Sequence, residues 1–225
     1  MIFFDDVSKK YPSHTTALNN VNLKITDGEF AFLVGPSGVG KTTLLRLIIA
    51  EILPSSGSVF VDDWEVNKLP ARKLPFLRRK VSFVFQDFKL FYDRTVFENI
   101  AVALEILGRS TVDIDKRVGE VLNIVNLPDK GGYFPKQLSL GEQQRVAIGR
   151  AIAGETKVLL ADEPTGNLDP KNSWEILRII NNINKSGTTV IMATHNVDIV
   201  NSLKKRVIVL SHGEVVRDEK KSKYS

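Results

Sequence analysis

The chain has no cysteine among its 225 residues. That absence excludes disulfides, thiol catalysis and cysteine-ligated zinc, and it fits a reducing compartment. No apolar run approaches the roughly 18 residues of a membrane span. The N-terminal stretch MIFFDDVSKK lacks the basic-then-apolar order of a signal peptide. The expected location is the cytoplasm, with any place at a membrane supplied by a partner. Strong charge bias is also missing: the formal net charge is +5, and the cations are scattered along the chain. A nucleic-acid binder would gather its charge on one face, so no nucleic-acid partner is expected. The densest basic runs, Arg78-Arg79-Lys80 and Lys220-Lys221-Ser222-Lys223, read as solvated, with contact to anionic lipid as the alternative. What is present is ordinary globular composition, 43% hydrophobic and 25% charged.

Short strands are expected over Ile2–Val7, Ala17–Ile25 and Ser58–Val61 into Trp64, joined by polar turns. Three further runs, Phe30–Val34, Val158–Ala161 and Thr189–Ala193, are apolar with little alternation. Strands buried on both faces of a parallel sheet read this way. Each leads into chemically capable residues: Gly35 and beyond, Asp162-Glu163, and His195. In open α/β sheets such residues gather beyond the carboxyl ends of the strands. Helices are expected over Lys41–Ile52 and Asn172–Asn184, the second stopping at Gly187. The region from Asp87 to Glu155 reads as mainly helical, with Val118, Val121, Leu122 and Val125 as one apolar stripe. A hairpin through His212-Gly213 is expected near the end.

The segment Gly35-Pro36-Ser37-Gly38-Val39-Gly40-Lys41-Thr42 matches G-x-x-x-x-G-K-[ST] in full, between a buried strand and a helix. Glycines let backbone N–H groups wrap phosphates. Lys41 would reach the β- and γ-phosphates, and the Thr42 hydroxyl would ligate Mg²⁺. Asp162, ending a buried strand, supplies a carboxylate for the same ion, and Glu163 a base for an attacking water. His195 ends the last buried strand, aimed at the same crevice. Gln86 follows the apolar segment Val81–Phe85 and could touch Mg²⁺ or the water. His14 and His212 fall in polar turns and receive no role. Another stretch, LSLGEQQRVAIGRAIAG from Leu138, reads as a tight turn carrying Ser139 and Gly141, then a helix. It offers a second anion site at a helix N-terminus.

GPSGVGKT, VFQD, LSLGEQQR, LLADEPTGNLD and ATHN, in this order and spacing, resemble the nucleotide-binding subunits of ATP-binding cassette (ABC) transporters. The resemblance spans essentially the whole chain. It implies a P-loop NTPase α/β core with a mainly parallel sheet, an N-terminal antiparallel β-subdomain and an inserted α-helical subdomain. On that division residues 1–86 and 156–225 form the core and 87–155 the helical part of one domain. It implies ATP hydrolysis to ADP and phosphate, with ATP and Mg²⁺. It also implies an ATP-dependent homodimer, in which the turn at Ser139 and Gly141 serves the nucleotide held by the other copy. Tyr11 matches the position that stacks on adenine, Thr43 closes the phosphate loop, Gln86 matches the Q-loop, Asp169 the D-loop and His195 the switch histidine. The family's signature turn has Gly where this chain has Leu140, a tolerant position between the intact Ser139 and Gly141. Asn-Lys-x-Asp, the base-reading motif of GTPases, is absent after Asn67-Lys68 and Asn184-Lys185.

Within the family, PFLRRKVSFVFQDFKLFYDRTVFENIAVAL, NSWEI and RVIVLSHGEVVRDE are most similar to the cell-division branch. That resemblance implies an integral membrane partner at the cytoplasmic face, through which ATP-driven shape change is relayed to cell-wall hydrolases. The related lipoprotein-release and macrolide-export ATPases are the alternative. The segment Gln86–Tyr92, with Phe88, Leu90, Phe91 and Tyr92, is expected both to pack in the helical part and to grip the partner.

Overall fold

The computed structural model describes residues 1–12, 15–154 and 156–220. His14 and the Lys221-Ser222-Lys223 part of the terminal basic run lie outside them.

Two sheets organise the chain. The first is antiparallel, in the order β2-β1-β4-β5, from β1 (Ile2–Lys10), β2 (Thr16–Ile25), β4 (Ser56–Val61) and β5 (Trp64–Glu65). The second has the order β10-β9-β3-β8-β7-β6. Its strands are β3 (Phe30–Val34), β6 (Val81–Val84), β7 (Val158–Asp162), β8 (Thr189–Ala193), β9 (Arg206–Ser211) and β10 (Glu214–Glu219). All neighbours are parallel except β9 and β10, which form the hairpin closed by His212-Gly213. The three apolar runs become the central strands β3, β8 and β7, and every residue of each is buried.

Burial on both faces follows from the two-residue side-chain period of a strand. Phe30, Phe32 and Val34 join one core cluster, while Ala31 and Leu33 join the other. The first cluster packs α3 (Val96–Glu105), α4 (Thr111–Ile124), α5 (Leu140–Ile152) and α6 (Pro170–Lys185) against one face of the large sheet. The second packs α1 (Lys41–Ile48) and the antiparallel sheet against the other face. The stripe Val118, Val121, Leu122 and Val125 is buried in the first cluster.

Four local features differ from the sequence expectation. Helix α1 ends at Ile48, not Ile52. The turn comes early because Ala50 takes a left-handed φ of 49°, and the Arg78 guanidinium donates to the carbonyls of Ile49 and Ala50. Arg78 is exposed, as expected, and also braces this turn. Gly141 lies inside the first turn of α5, because the helix starts at Leu140 with Ser139 as its N-cap. Two seven-residue helices, α2 (Leu74–Lys80) and α7 (Val197–Leu203), complete the fold.

Candidate functional site

Parallel pairing brings the chemistry to one edge. Ala193 of β8 pairs with Leu33 of β3 on one side and with Asp162 of β7 on the other. The chain segments that leave these strands therefore emerge side by side. Two hydrogen bonds stitch them just past the sheet: Thr194 N–H donates to Leu33 O at 3.1 Å, and Glu163 N–H to Ala193 O at 3.0 Å.

The loop after β3 wraps tightly into α1. Gly35 has φ 146° and Gly40 φ 112°, the left-handed side of backbone space. A Cβ on Gly35 would lie 2.3 Å from Leu210 O, and one on Gly40 2.3 Å from Ala17 O. Only glycine fits either place. Pro36, Ser37 and Gly38 are exposed along the loop between them, and Val39 is half-buried. The first turn of α1 carries no acidic residue, so its N-terminal partial charge remains available to an anion. Lys41 opens the helix with its side chain buried. Its Nζ donates to Gly35 O at 2.8 Å and Pro36 O at 3.0 Å, and lies 3.7 Å from Glu163 Oε1.

Asp162 ends β7 almost fully buried. Burial pushes its carboxyl above the usual range, against the pull of a Thr42 hydrogen bond and the nearby Arg46 and Lys41 charges. Its Oδ1 is buried with no hydrogen-bond partner. Glu163 follows with a left-handed φ of 47°. Oε1 of Glu163 meets His195 Nδ1 at 3.0 Å, while its Oε2 is buried without a partner. His195 itself is exposed, and it lines a cleft of about 230 Å³ with Glu163, Thr165, Gly166 and Trp174.

These orphaned oxygens fit a divalent cation. Thr42, Asp162 and Gln86 offer a hydroxyl, one carboxylate and an amide oxygen, a hard-oxygen set suited to Mg²⁺ shared with phosphates. Gln86 is exposed just past β6, the strand next to β7. Tyr11 follows β1, and its hydroxyl lies 3.3 Å from Thr43 Oγ1 on α1, which places its ring beside the phosphate loop.

A second group gathers at the N-terminal ends of α5 and α6. Ser139 caps α5 in a reciprocal box: its Oγ accepts from Glu142 N–H, and its own N–H and hydroxyl donate to Glu142 Oε2 at 2.8 and 2.9 Å. Gly141 is buried in the first turn, whereas Leu140 between them is 51% exposed. The leucine departs from the family turn at a side chain that points to solvent. Asp169 caps α6 through Asn172 N–H at 3.0 Å. These N-terminal ends belong to helices that pack together, which groups Ser139, Gly141 and Asp169, while Leu168 and Pro170 on either side of Asp169 line the cleft that Glu163 and His195 share.

The segment after Gln86 divides in two. Phe88 and Leu90 are buried, while Phe91 and Tyr92 are 44% and 46% exposed. Arg150 of α5, which sequence reasoning did not single out, donates to Phe88 O at 2.9 Å and Lys89 O at 2.7 Å. Tyr92 reaches the same helix through Gln143 Oε1 at 3.3 Å.

Comparison with known proteins agrees with this geometry. The model of the ABC transporter family matches residues 18–166. The cell division ATP-binding protein FtsE of Streptococcus pneumoniae (strain D39) is 52% identical over 219 residues, 97% of this chain and 95% of that protein. FtsE of Bacillus subtilis (strain 168) is 49% identical over 224 residues, 100% of this chain and 98% of its own. Among solved structures, a dimeric post-hydrolysis state of an ATP-binding cassette bound to ADP and Pi superposes with TM-score 0.90 at 37% identity, each chain covered in full. A phosphate loop, an adjacent carboxylate pair and a histidine at one sheet edge, together with these matches, show that the chain belongs to the ABC transporter family.

Proposed function

We propose that this chain is the ATP-binding and ATP-hydrolysing subunit of an FtsEX-type cell-division complex, at the cytoplasmic face of the membrane. There it drives the integral membrane protein FtsX and, through it, the activity of peptidoglycan hydrolases. The observation that carries the reading is the convergence of Lys41, Asp162, Glu163 and His195 at one edge, in a chain about half identical to FtsE proteins over nearly its whole length.

ATP lies on the loop Gly35–Thr43, with Lys41 and the N–H groups of α1 on its phosphates and Tyr11 against its base. Mg²⁺, when bound by Thr42, Asp162 and Gln86, neutralises charge on the phosphate oxygens. Glu163 accepts a proton from the attacking water through its unpartnered Oε2. Its Oε1 is held by His195, so the base keeps one orientation. Hydrolysis consumes water and yields ADP and phosphate.

Ser139, Gly141 and Asp169 serve the nucleotide of a second copy. The dimeric assembly of the solved relative supports this. ATP then closes the dimer because both chains contact it only in the closed state. Residues 87–155 act as the lobe that carries Ser139 and the docking segment, with Phe91 and Tyr92 exposed to FtsX and Phe88 and Leu90 packed beneath.

The test is affinity purification of the tagged chain from its own membranes. FtsX, with wall hydrolases, is the expected company, and Phe91→Ser with Tyr92→Ser should lose it. Recovery of a lipoprotein- or drug-export permease instead would overturn the cell-division assignment and leave the ATPase chemistry standing.

A further inference from the structure

The side chain of Asn172 lies between the N-terminal ends of α5 and α6. Among the helices that start with a side-chain cap, three differ instructively at the third residue. Thr95 and Ser139 are followed by Glu98 and Glu142, whose carboxylates reach back to the cap's own N–H. Asp169 is followed instead by Asn172, whose shorter amide does something else. Its backbone N–H donates to Asp169 Oδ1 at 3.0 Å, and its Nδ2 donates to Asp169 Oδ2. Its Oδ1 faces α5. There Arg145 Nη1 approaches at 3.5 Å, while also pairing with Glu175 Oε2 of α6 at 2.7 Å.

Gly141 lies directly against this amide. A Cβ built on Gly141 would fall 2.3 Å from Asn172 Oδ1, 2.5 Å from its Cγ and 3.0 Å from its Cβ. Real Cβ atoms do not come so close to anything. An isolated asparagine would swing aside, but this one is held at both ends, by Asp169 and by Arg145. Displacing it breaks the Nδ2 bond to Asp169 and loosens the cap that the backbone N–H completes.

We propose that Asn172 is a positioning residue that locks the first turn of α5 to Asp169, so that the two sets of groups presented to the other copy move as one body. Gly141 is a glycine because its own chain's Asn172 fills the space a side chain would need. This rests on the ATP-bridged dimer described above.

The experiment reads two quantities. The first is hydrogen exchange of the Asn172 backbone N–H by NMR in the ATP-free chain, compared between the parent, Gly141→Ala and Asn172→Gly. The second is the ATP-dependent dimer fraction by light scattering in a Glu163→Gln background, with ATP affinity of the monomer as control. Gly141→Ala should speed Asn172 exchange at least about ten-fold, equivalent to about 1.4 kcal/mol, and lower the dimer fraction without changing monomer ATP affinity. In chains that also carry Asn172→Gly, adding Gly141→Ala should cost nothing further in dimerisation. Unchanged Asn172 exchange in Gly141→Ala overturns the proposal. So does an equal dimerisation loss from Gly141→Ala with and without Asn172, since the glycine would then be required by the ligand. Failure of the Glu163→Gln chain to dimerise with ATP would sink the bridged-dimer reading instead, and the exchange rates would then decide the coupling alone.

Discussion

His195 Nδ1 and Glu163 Oε1 lie 3.0 Å apart. A carboxylate only accepts, so the histidine carries its proton on Nδ1 and orients the base. Glu163→Gln keeps the shape of the site and removes the proton acceptor. Phosphate release should fall about 10²–10⁴-fold, with ATP binding retained and a dimer accumulating in ATP. Stopped-flow phosphate detection beside equilibrium nucleotide binding separates the two effects. Near-parental turnover would remove Glu163 from its role.

Asp162 places a cost on the fold. Its carboxyl is raised by burial, so the folded state favours the protonated form more than the unfolded state does. At low pH both states are protonated and there is no penalty. As pH climbs past the ordinary carboxylate value of 3.8, the unfolded chain ionises first and stability drops. The loss is complete once pH exceeds the raised folded value. Asp162→Asn should therefore melt higher at neutral pH, the gain shrinking to nothing on acidification. Thermal melts of both chains across pH check the sign, and parallel curves at every pH would contradict it.

Gly40→Ala meets two obstacles at once, a φ of 112° and a carbonyl 2.3 Å from the new methyl. Strain of this kind costs about 2–4 kcal/mol. Denaturant titration should show that loss together with abolished ATP binding. Gly38→Ala, whose Cβ meets nothing within 4 Å, should cost less because only its φ of 78° opposes it.

Tyr11 offers a ring to the base and a hydroxyl to Thr43. If stacking is its contribution, Tyr11→Phe binds ATP like the parent. Tyr11→Ala should then bind about 5–100-fold more weakly, the worth of one base–aromatic stack. Calorimetric titration of the three chains distinguishes stacking from the hydroxyl contact.

Arg150 holds a strained turn, with Phe88 at φ 59° and Lys89 at φ 50°. Its two guanidinium bonds to their carbonyls contribute about 2–3 kcal/mol locally. A lysine presents a point charge rather than a fork. Both Arg150→Ala and Arg150→Lys should loosen Phe91 and Tyr92 and reduce recovery of the membrane partner, with monomer ATP affinity intact. Quantitative co-purification, normalised to the ATP-binding signal, reads this.

Legibility in the sequence followed the reach of each signal. The central strands β3 and β8 carry their own hydrophobic record, and their bounds were readable to the residue. The phosphate loop and the acids after β7 were equally plain, because their chemistry needs fixed residues at fixed spacing. Helices α2 and α7 were not anticipated. Seven residues span two turns, too few for a helical period, and α7 buries only Ile199 and Val200. The early end of α1 depended on Arg78, some thirty positions downstream. Asn172 and Arg150 were invisible for the same reason: each acts on a segment that only tertiary packing brings near.

Helix α5 spans Leu140–Ile152, 13 residues without a proline. Gly141 sits near one end and Arg150 near the other, about 13 Å apart along the axis at 1.5 Å per residue. A stiff rod of that length works as a balance arm. Tilting it by about 10° around the Arg150 end shifts the Gly141 end by about 2 Å, enough to make or break a hydrogen bond. Any tilt of that size at the Phe88 and Lys89 turn would, by leverage, move the opposite tip by the scale of a chemical contact.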